Sequence, residues 1–192
     1  RSIHNMNIKV CGISTVKQLH QLDGLNVDFA GFNFSAQQLP AGFIEPAALK
    51  EIDSDVCKVG VFADQPIDFV LQTIAQYGIE MVQLDGRETP EYCQQLAKKI
   101  QVIKTFYIDA ANIETVDELV SPYDDSCDYY AFDTVIKKDL SGLGGFFDWD
   151  KIARARIEKP FFLGGGIRPS DAEKVRNFQH PDFFGVDLSF HF

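Results

Sequence analysis

An ammonium and a thiol stand two residues apart in the first apolar run, Lys9-Val10-Cys11-Gly12. Strand alternation sends both side chains to one face. A cation beside a thiol favours the thiolate, the form that acts as base or nucleophile; the competing reading of Cys11 is a small buried hydrophobe. Asp133 closes another apolar run in Phe132-Asp133-Thr134, where a carboxyl serves as an acid or base or opens a turn. Gln83 and Asp85 share a face in Gln83-Leu84-Asp85-Gly86, with Asp85 equally suited to the turn before Gly86. Gly164-Gly165-Gly166 follows a short apolar run. Glycines let the backbone approach a ligand, and their N–H groups can form an anion nest; the plain alternative is a flexible turn. Asp187 and Ser189 end the run Gly185-Val186-Asp187-Leu188-Ser189, and Phe146-Phe147-Asp148-Trp149 reads as an apolar plug opening a helix.

The elements that must position these residues alternate in type. Apolar runs predict strands over Ile8–Ile13, Phe29–Phe34, Lys58–Ala63, Met81–Leu84, Val102–Ile108, Tyr129–Asp133, Phe161–Leu163 and Phe183–Leu188. Between them, helical spacing predicts helices over Thr15–Leu25 (capped by Ser14), Pro46–Ile52, Pro66–Tyr77 (ended by Gly78), Pro90–Ile100 (capped by Thr89), Ile113–Val120, Trp149–Ile157 and Ser170–Phe178. Strict alternation implies parallel strands joined by right-handed crossovers. Eight such units predict an α/β chain closed into a (β/α)₈ TIM barrel, with a doubly wound open sheet as the alternative. Only four residues follow Leu188, so the eighth helix is absent from the printed chain. In such a barrel the active site lies at the strands' C-terminal ends, and phosphate commonly sits in the loops after strands seven and eight. Every residue singled out above is placed there except Lys9, one layer below, and the 146–149 cluster.

Composition narrows the function classes. With 192 residues the chain buries enough surface for one ordered domain, expected over residues 6–192, with residues 1–5 as an expression remnant before Met6. A net charge of −10, from 18 Lys+Arg against 28 Asp+Glu, disfavours nucleic acid as a partner. No apolar run of about 18 residues offers a membrane span, and Arg1–Asn5 has no apolar core of a signal peptide. Cys11, Cys57, Cys93 and Cys127 are widely spaced and the four histidines form no ligand pair, so neither a zinc site nor a disulfide scaffold is expected. That pattern points to the cytoplasm and to chemistry without a metal.

Taken in order, the motifs resemble those of the phosphoribosylanthranilate isomerase family of tryptophan biosynthesis. The matching segments are Lys9-Val10-Cys11-Gly12, Lys58-Val59-Gly60-Val61-Phe62, Val82-Gln83-Leu84, Phe132-Asp133-Thr134, Phe147-Asp148-Trp149, Gly165-Gly166-Ile167 and Gly185-Val186-Asp187-Leu188. They span nearly the whole chain. The resemblance implies an Amadori rearrangement of an aminoaldose to an aminoketose without a cofactor. It implies that Asp133 is the general acid, opening the furanose ring to a Schiff base. It implies that Cys11 is the general base, removing the C2′ proton to give an enolamine. Gly165, Gly166 and the segment from Asp187 through Ser189 would hold the phosphate of a small phosphorylated sugar-amine substrate. A free thiol has a pKa of about 8.5, and Lys9 would supply the help it needs.

The chain departs from the family pattern in three places. The family's Arg after strand two, in a Ser-Pro-Arg context, is replaced by Ser35-Ala36-Gln37-Gln38-Leu39-Pro40, and no Arg occurs between Arg1 and Arg87. The family's His in Val-Gln-Leu-His-Gly is Asp85, which repels an anionic substrate. The Asn-Ser after Asp187-Leu188 reads Ser189-Phe190. Since the core motifs survive and the gaps fall in loops, the expectation is that loop segments are missing from the printed chain. Cys11 and Asp133 favour an active isomerase. The absent Arg favours a catalytically silent barrel that binds a phosphorylated ligand or a partner. Another sugar-phosphate isomerase or lyase is the third possibility.

Overall fold

The computed structural model describes residues 6–134 and 149–189. Eight strands occur among them: β1 (Asn7–Cys11), β2 (Phe29–Asn33), β3 (Cys57–Phe62), β4 (Met81–Leu84), β5 (Gln101–Ile108), β6 (Tyr129–Thr134), β7 (Phe161–Gly164) and β8 (Phe183–Ser189). The helices between them are α1 (Val16–Gln21), α2 (Pro46–Glu51), α3 (Ile67–Tyr77), α4 (Pro90–Ala97), α5 (Val116–Val120), α6 (Trp149–Arg154) and α7 (Ala172–Asn177). Every strand pairs in parallel with its neighbours, and β8 returns to pair with β1, so the sheet closes into a barrel. No helix follows β8 among the described residues.

Two apolar layers hold the barrel. Inside it, Val59, Met81, Ile103, Ala131 and Phe162 form a buried cluster, joined by Phe29, Cys57, Tyr129 and Phe184. Each comes from an alternate strand position, as the two-residue period of a pleated strand requires. The opposite strand faces (Val10, Ala30, Phe32, Phe62, Val82, Leu84, Val102, Phe132, Phe161 and Leu163) pack against the helices in a second, larger core. The interior is therefore plugged at its N-terminal end, and polar inward positions are left for the C-terminal end.

Several helices are shorter than the spacing predicts, for local reasons. Thr15, not Ser14, caps α1. Its hydroxyl accepts from Gln18 N–H at 3.2 Å, and Gln18 Oε1 accepts from Thr15 N–H at 3.2 Å, a reciprocal capping box. Ser14 joins by donating its own N–H to the same Gln18 oxygen at 2.8 Å. The helix ends at Gln21 because the turn into β2 uses positive φ at Gly24 and Asn26. The segments before α5 and α7 begin as 3₁₀ turns, Ile113–Thr115 and Pro169–Asp171. Thr89 caps α4, accepting from Tyr92 N–H, and Gly78 ends α3 with φ +67°.

A buried ion pair fixes the loop after β4. Lys104 Nζ lies 3.3 Å from Glu88 Oε1, with both side chains almost wholly out of water (3% and 1% exposed). The ammonium also donates to the carbonyls of Gly86 at 2.9 Å and Thr105 at 3.1 Å. Glu88 Oε2 accepts from Asp64 N–H at 2.7 Å, and Asp64 Oδ1 accepts from Arg87 N–H at 2.8 Å. The loops after β3 and β4 are thereby tied together. Breaking a buried pair by removing one partner strands the other charge. Lys104→Met is therefore expected to lower unfolding free energy by about 3–5 kcal/mol, read as a lower urea midpoint. An unchanged midpoint contradicts this account of the loop.

Candidate functional site

The C-terminal end of the barrel holds a cavity of about 300 Å³. Cys11, Gln83, Asp85, Asp133, Gly165, Gly166, Asp187 and Ser189 all line it, joined by Thr105, Ala131, Phe132 and Gly164. Lys9 lies beneath the cavity, fully buried. Residues from β1, β4, β5, β6, β7 and β8 thus converge at one rim, as the strand-end rule requires.

Barrel closure decides what surrounds Cys11. In the β1–β8 register, Lys9 stands opposite Asp187 and Cys11 opposite Ser189. Lys9 Nζ donates to Asp187 Oδ2 at 2.9 Å and also contacts Cys11 Sγ. Cys11 Sγ lies 3.7 Å from the same Asp187 oxygen. Gly31, its neighbour on β2, makes room for the thiol: a Cβ there would sit 2.7 Å from Sγ. Burial pushes the Cys11 thiol up, the Asp187 carboxylate pushes it further, and Lys9 only partly offsets them, leaving it at about 12. The expectation that Lys9 makes Cys11 a ready thiolate is therefore corrected. Burial on its own would pull the Lys9 ammonium down, but the charge of Asp187 and the contacts with Asp187 and Cys11 outweigh it and raise it. Lys9 is shared with a carboxylate, and Cys11 rests as a thiol.

The same geometry revises Asp187. Its carboxylate is engaged by Lys9 and faces Cys11, so its side chain belongs with the thiol rather than with an anion site.

Across the cavity, Asp133 lies one residue before the end of β6, in register with Gly164 on β7 and Tyr107 on β5. Burial raises its pKa, and the nearby charges of Asp85 and Asp187 raise it further. These causes favour the protonated carboxyl, the state a general acid needs. Burial, then Asp85 and Asp133, push the Tyr107 phenol up to about 12, so it stays protonated.

Gly165 and Gly166 follow β7 with φ of +95° and +67°. A Cβ on Gly165 would lie 2.4 Å from Thr134 O and 2.6 Å from Asp133 Oδ1. Only glycine fits this turn, which brings bare backbone against the acid. Thr134 Oγ1 donates to Gly164 O at 2.9 Å, fixing the turn to the end of β6. On β4, Gln83 Nε2 donates to Asp85 Oδ1 at 2.9 Å, and Thr105 Oγ1 donates to the same oxygen at 2.6 Å.

Two of these partnerships escaped the sequence reading, though signals for them existed. Strand alternation together with closure of β8 on β1 would have set Lys9 against Asp187. Thr105 was the polar residue at an inward position of an apolar strand. Among the described residues lining the cavity, none is cationic. The stretch Ser35–Pro40 runs over the surface, with Ser35 N–H donating to Asn33 Oδ1 at 2.9 Å. Phe146, Phe147 and Asp148, Phe190, and the residues 1–5 read as an expression remnant lie outside the described residues. Trp149 is buried against the edge of Phe178.

Known proteins resemble the whole chain. The family model described as N-(5'phosphoribosyl)anthranilate (PRA) isomerase matches residues 8–190. A relative from Parabacteroides distasonis, N-(5'-phosphoribosyl)anthranilate isomerase, is 36% identical over 190 residues, covering 96% of this chain and 83% of the relative. One of the same name from Phocaeicola vulgatus is 32% identical over 185 residues, covering 96% and 87%. The crystal structure of phosphoribosyl anthranilate isomerase from Thermotoga maritima superposes with a TM-score of 0.75 at 26% identity, covering 96% and 87%. Another isomerase structure, solved with reduced 1-(o-carboxyphenylamino)-1-deoxyribulose 5-phosphate, shares the fold with a TM-score of 0.71 at 23% identity, covering 96% and 87%.

Proposed function

The chain belongs to the N-(5'-phosphoribosyl)anthranilate isomerase family of tryptophan biosynthesis, and from that membership we propose how its cavity performs the isomerisation. The substrate is the phosphorylated aminoaldose N-(5'-phosphoribosyl)anthranilate, and the product is 1-(2-carboxyphenylamino)-1-deoxyribulose 5-phosphate. Asp133 donates its proton to the furanose ring oxygen. The C1′–O bond breaks and the ring opens to a protonated Schiff base. Cys11 then takes the C2′ proton, and the resulting enolamine tautomerises to the ketone. Asp187 is the nearest acceptor for the thiol proton, and Lys9 balances the charge that develops. The turn at Gly165 and Gly166, with the backbone through Ser189, receives the phosphate. Each step is a proton transfer, so the chemistry calls for no cofactor or metal. We place the reaction in the cytoplasm, with no nucleic acid as partner.

The observation that carries this reading is that Cys11 and Asp133, from strands well separated around the barrel, line one cavity. Their pKa shifts run in the same direction for different ends: a raised Asp133 keeps an acid, while a raised Cys11 makes a strong base once it ionises. The test is turnover of N-(5'-phosphoribosyl)anthranilate by the wild-type chain, followed as loss of the substrate's fluorescence. Turnover well above the spontaneous rate is expected. Binding without turnover would establish the silent barrel instead.

The pH dependence follows from the two shifts. The reactive form has Cys11 ionised and Asp133 protonated. Between the raised pKa of Asp133 and about 12, each gain in thiolate with pH is matched by a loss of protonated Asp133. The ratio kcat/KM is therefore expected to be flat across that range. Below the Asp133 pKa, the acid is already fully protonated while the thiolate keeps vanishing, so kcat/KM falls. A steady rise through pH 6–9 would contradict the pairing.

Gly165→Val tests the phosphate site. The new side chain meets the Thr134 backbone and the Asp133 carboxylate, and it cannot adopt φ +95° without strain. Affinity for the reduced product analogue, measured by calorimetry, is expected to fall at least about ten-fold. An unchanged affinity would put the phosphate elsewhere.

A further inference from the structure

Gln83 is 4% exposed, and its amide oxygen Oε1 is buried with no hydrogen-bond partner among the described residues. The side chain lines the cavity. Its orientation is dictated by a residue at which this chain departs from the family motif. Asp85 Oδ1 accepts from Gln83 Nε2 at 2.9 Å and from Thr105 Oγ1 at 2.6 Å. A carboxylate donates nothing, so Gln83 must turn its NH₂ toward Asp85. Its oxygen is then the atom left over. A buried acceptor without a donor is costly to keep, and this one borders the space where the sugar must lie.

We propose that Gln83 binds a hydroxyl of the substrate sugar through Oε1, and that Asp85 is a positioning residue that holds the Gln83 amide with only its acceptor presented to the cavity. This rests on the isomerase reading above. The choice of a hydroxyl follows from the chemistry of that substrate. Its carboxylate and phosphate bring acceptor oxygens, which Oε1 repels, whereas its donors are the anilino N–H and several ribosyl hydroxyls, and we choose a hydroxyl as the more numerous donor. The site therefore selects for a polyol donor at one position of the chain. An acidic residue in the pocket wall is compatible with an anionic substrate because its Oδ1 is already held by two internal donors. The only other orphaned buried side-chain acceptor among the described residues, Asp187 Oδ1, belongs to the Lys9–Cys11 cluster on β8, away from β4.

The experiment measures binding of the reduced product analogue and of three counterparts lacking the hydroxyl at C2, C3 or C4. In the wild type, one deletion is expected to weaken binding at least about ten-fold. In Gln83→Met, which keeps the length and removes the acceptor, the same deletion should cost less than about two-fold. Asp85→Asn should keep the wild-type discrimination, because its amide oxygen can still accept from Gln83 and Thr105. Asp85→Leu frees the Gln83 amide to turn and should lose the discrimination, which a purely structural role for Asp85 would leave intact. Indifference of the wild type to all three deletions means that water or the anilino N–H fills the position, and overturns the proposal. Undiminished discrimination in Gln83→Met assigns the hydroxyl to another acceptor, such as Asp187, and also overturns it. Those failures leave turnover of the natural substrate intact. A wild type that neither binds the analogue nor turns over substrate defeats the isomerase reading and this inference together.

Discussion

Cys11→Ser is expected to reduce turnover by about 10²–10⁴-fold, the usual contribution of a general base. The substitution nearly keeps the size of a side chain packed between Gly31, Lys9 and Asp187, so the barrel should remain folded. What changes is the acid strength of the group. Even a thiol held at about 12 ionises far more readily than a serine hydroxyl in the same place. Substrate affinity should change little, because the proposed phosphate site is the turn after β7 and not β1. The expected pattern is a fall in kcat at nearly constant KM, measured by fluorescence loss. A rise in KM at constant kcat would make Cys11 a binding residue only.

Asp133→Asn is expected to have an effect of similar size, about 10²–10⁴-fold in turnover. An amide has the shape of the carboxyl but cannot deliver its proton to the ring oxygen. Asp133 sits where burial, Asp85 and Asp187 all favour the protonated acid, and on the proposed mechanism removing that acid blocks the first step. In the proposed sequence, ring opening precedes removal of the C2′ proton. A substrate analogue that is already open is therefore expected to bind Asp133→Asn about as well as wild type. If Asp133→Asn turned over substrate at the wild-type rate, the acid would have to be another group on the cavity wall.

The periodic signals were the most legible part of the chain. Met81–Leu84 reads as a strand from its apolar run and is β4 with the same bounds. The alternation of units led to the closed barrel, and the strand-end rule gathered Cys11, Asp133, Gly165 and Asp187 at one rim. Helix ends were less legible because they depend on reciprocal side-chain bonds. Ser14 and Thr15 are both good caps by type and both give their N–H to Gln18 Oε1; only the Thr15 hydroxyl, accepting from Gln18 N–H, separates them. The electrostatics of Cys11 were misread for a related reason. The spacing to Lys9 is visible along one strand, but Asp187 is 176 residues away in sequence. Its charge, and the depth of burial, outweigh the ammonium. The orientation of Gln83 likewise depends on Thr105, one strand away, which fixes Asp85 from the other side.

The most direct test of the central claim is turnover of N-(5'-phosphoribosyl)anthranilate by the double variant Cys11→Ala/Asp133→Ala beside the wild type. Both proteins are first shown by circular dichroism to be folded and by calorimetry to bind the reduced product analogue. The account predicts that the double variant loses fluorescence no faster than the spontaneous reaction in buffer, while the wild type is far faster. A double variant that retains turnover within about ten-fold of wild type, less than a single general acid or base contributes, would contradict it.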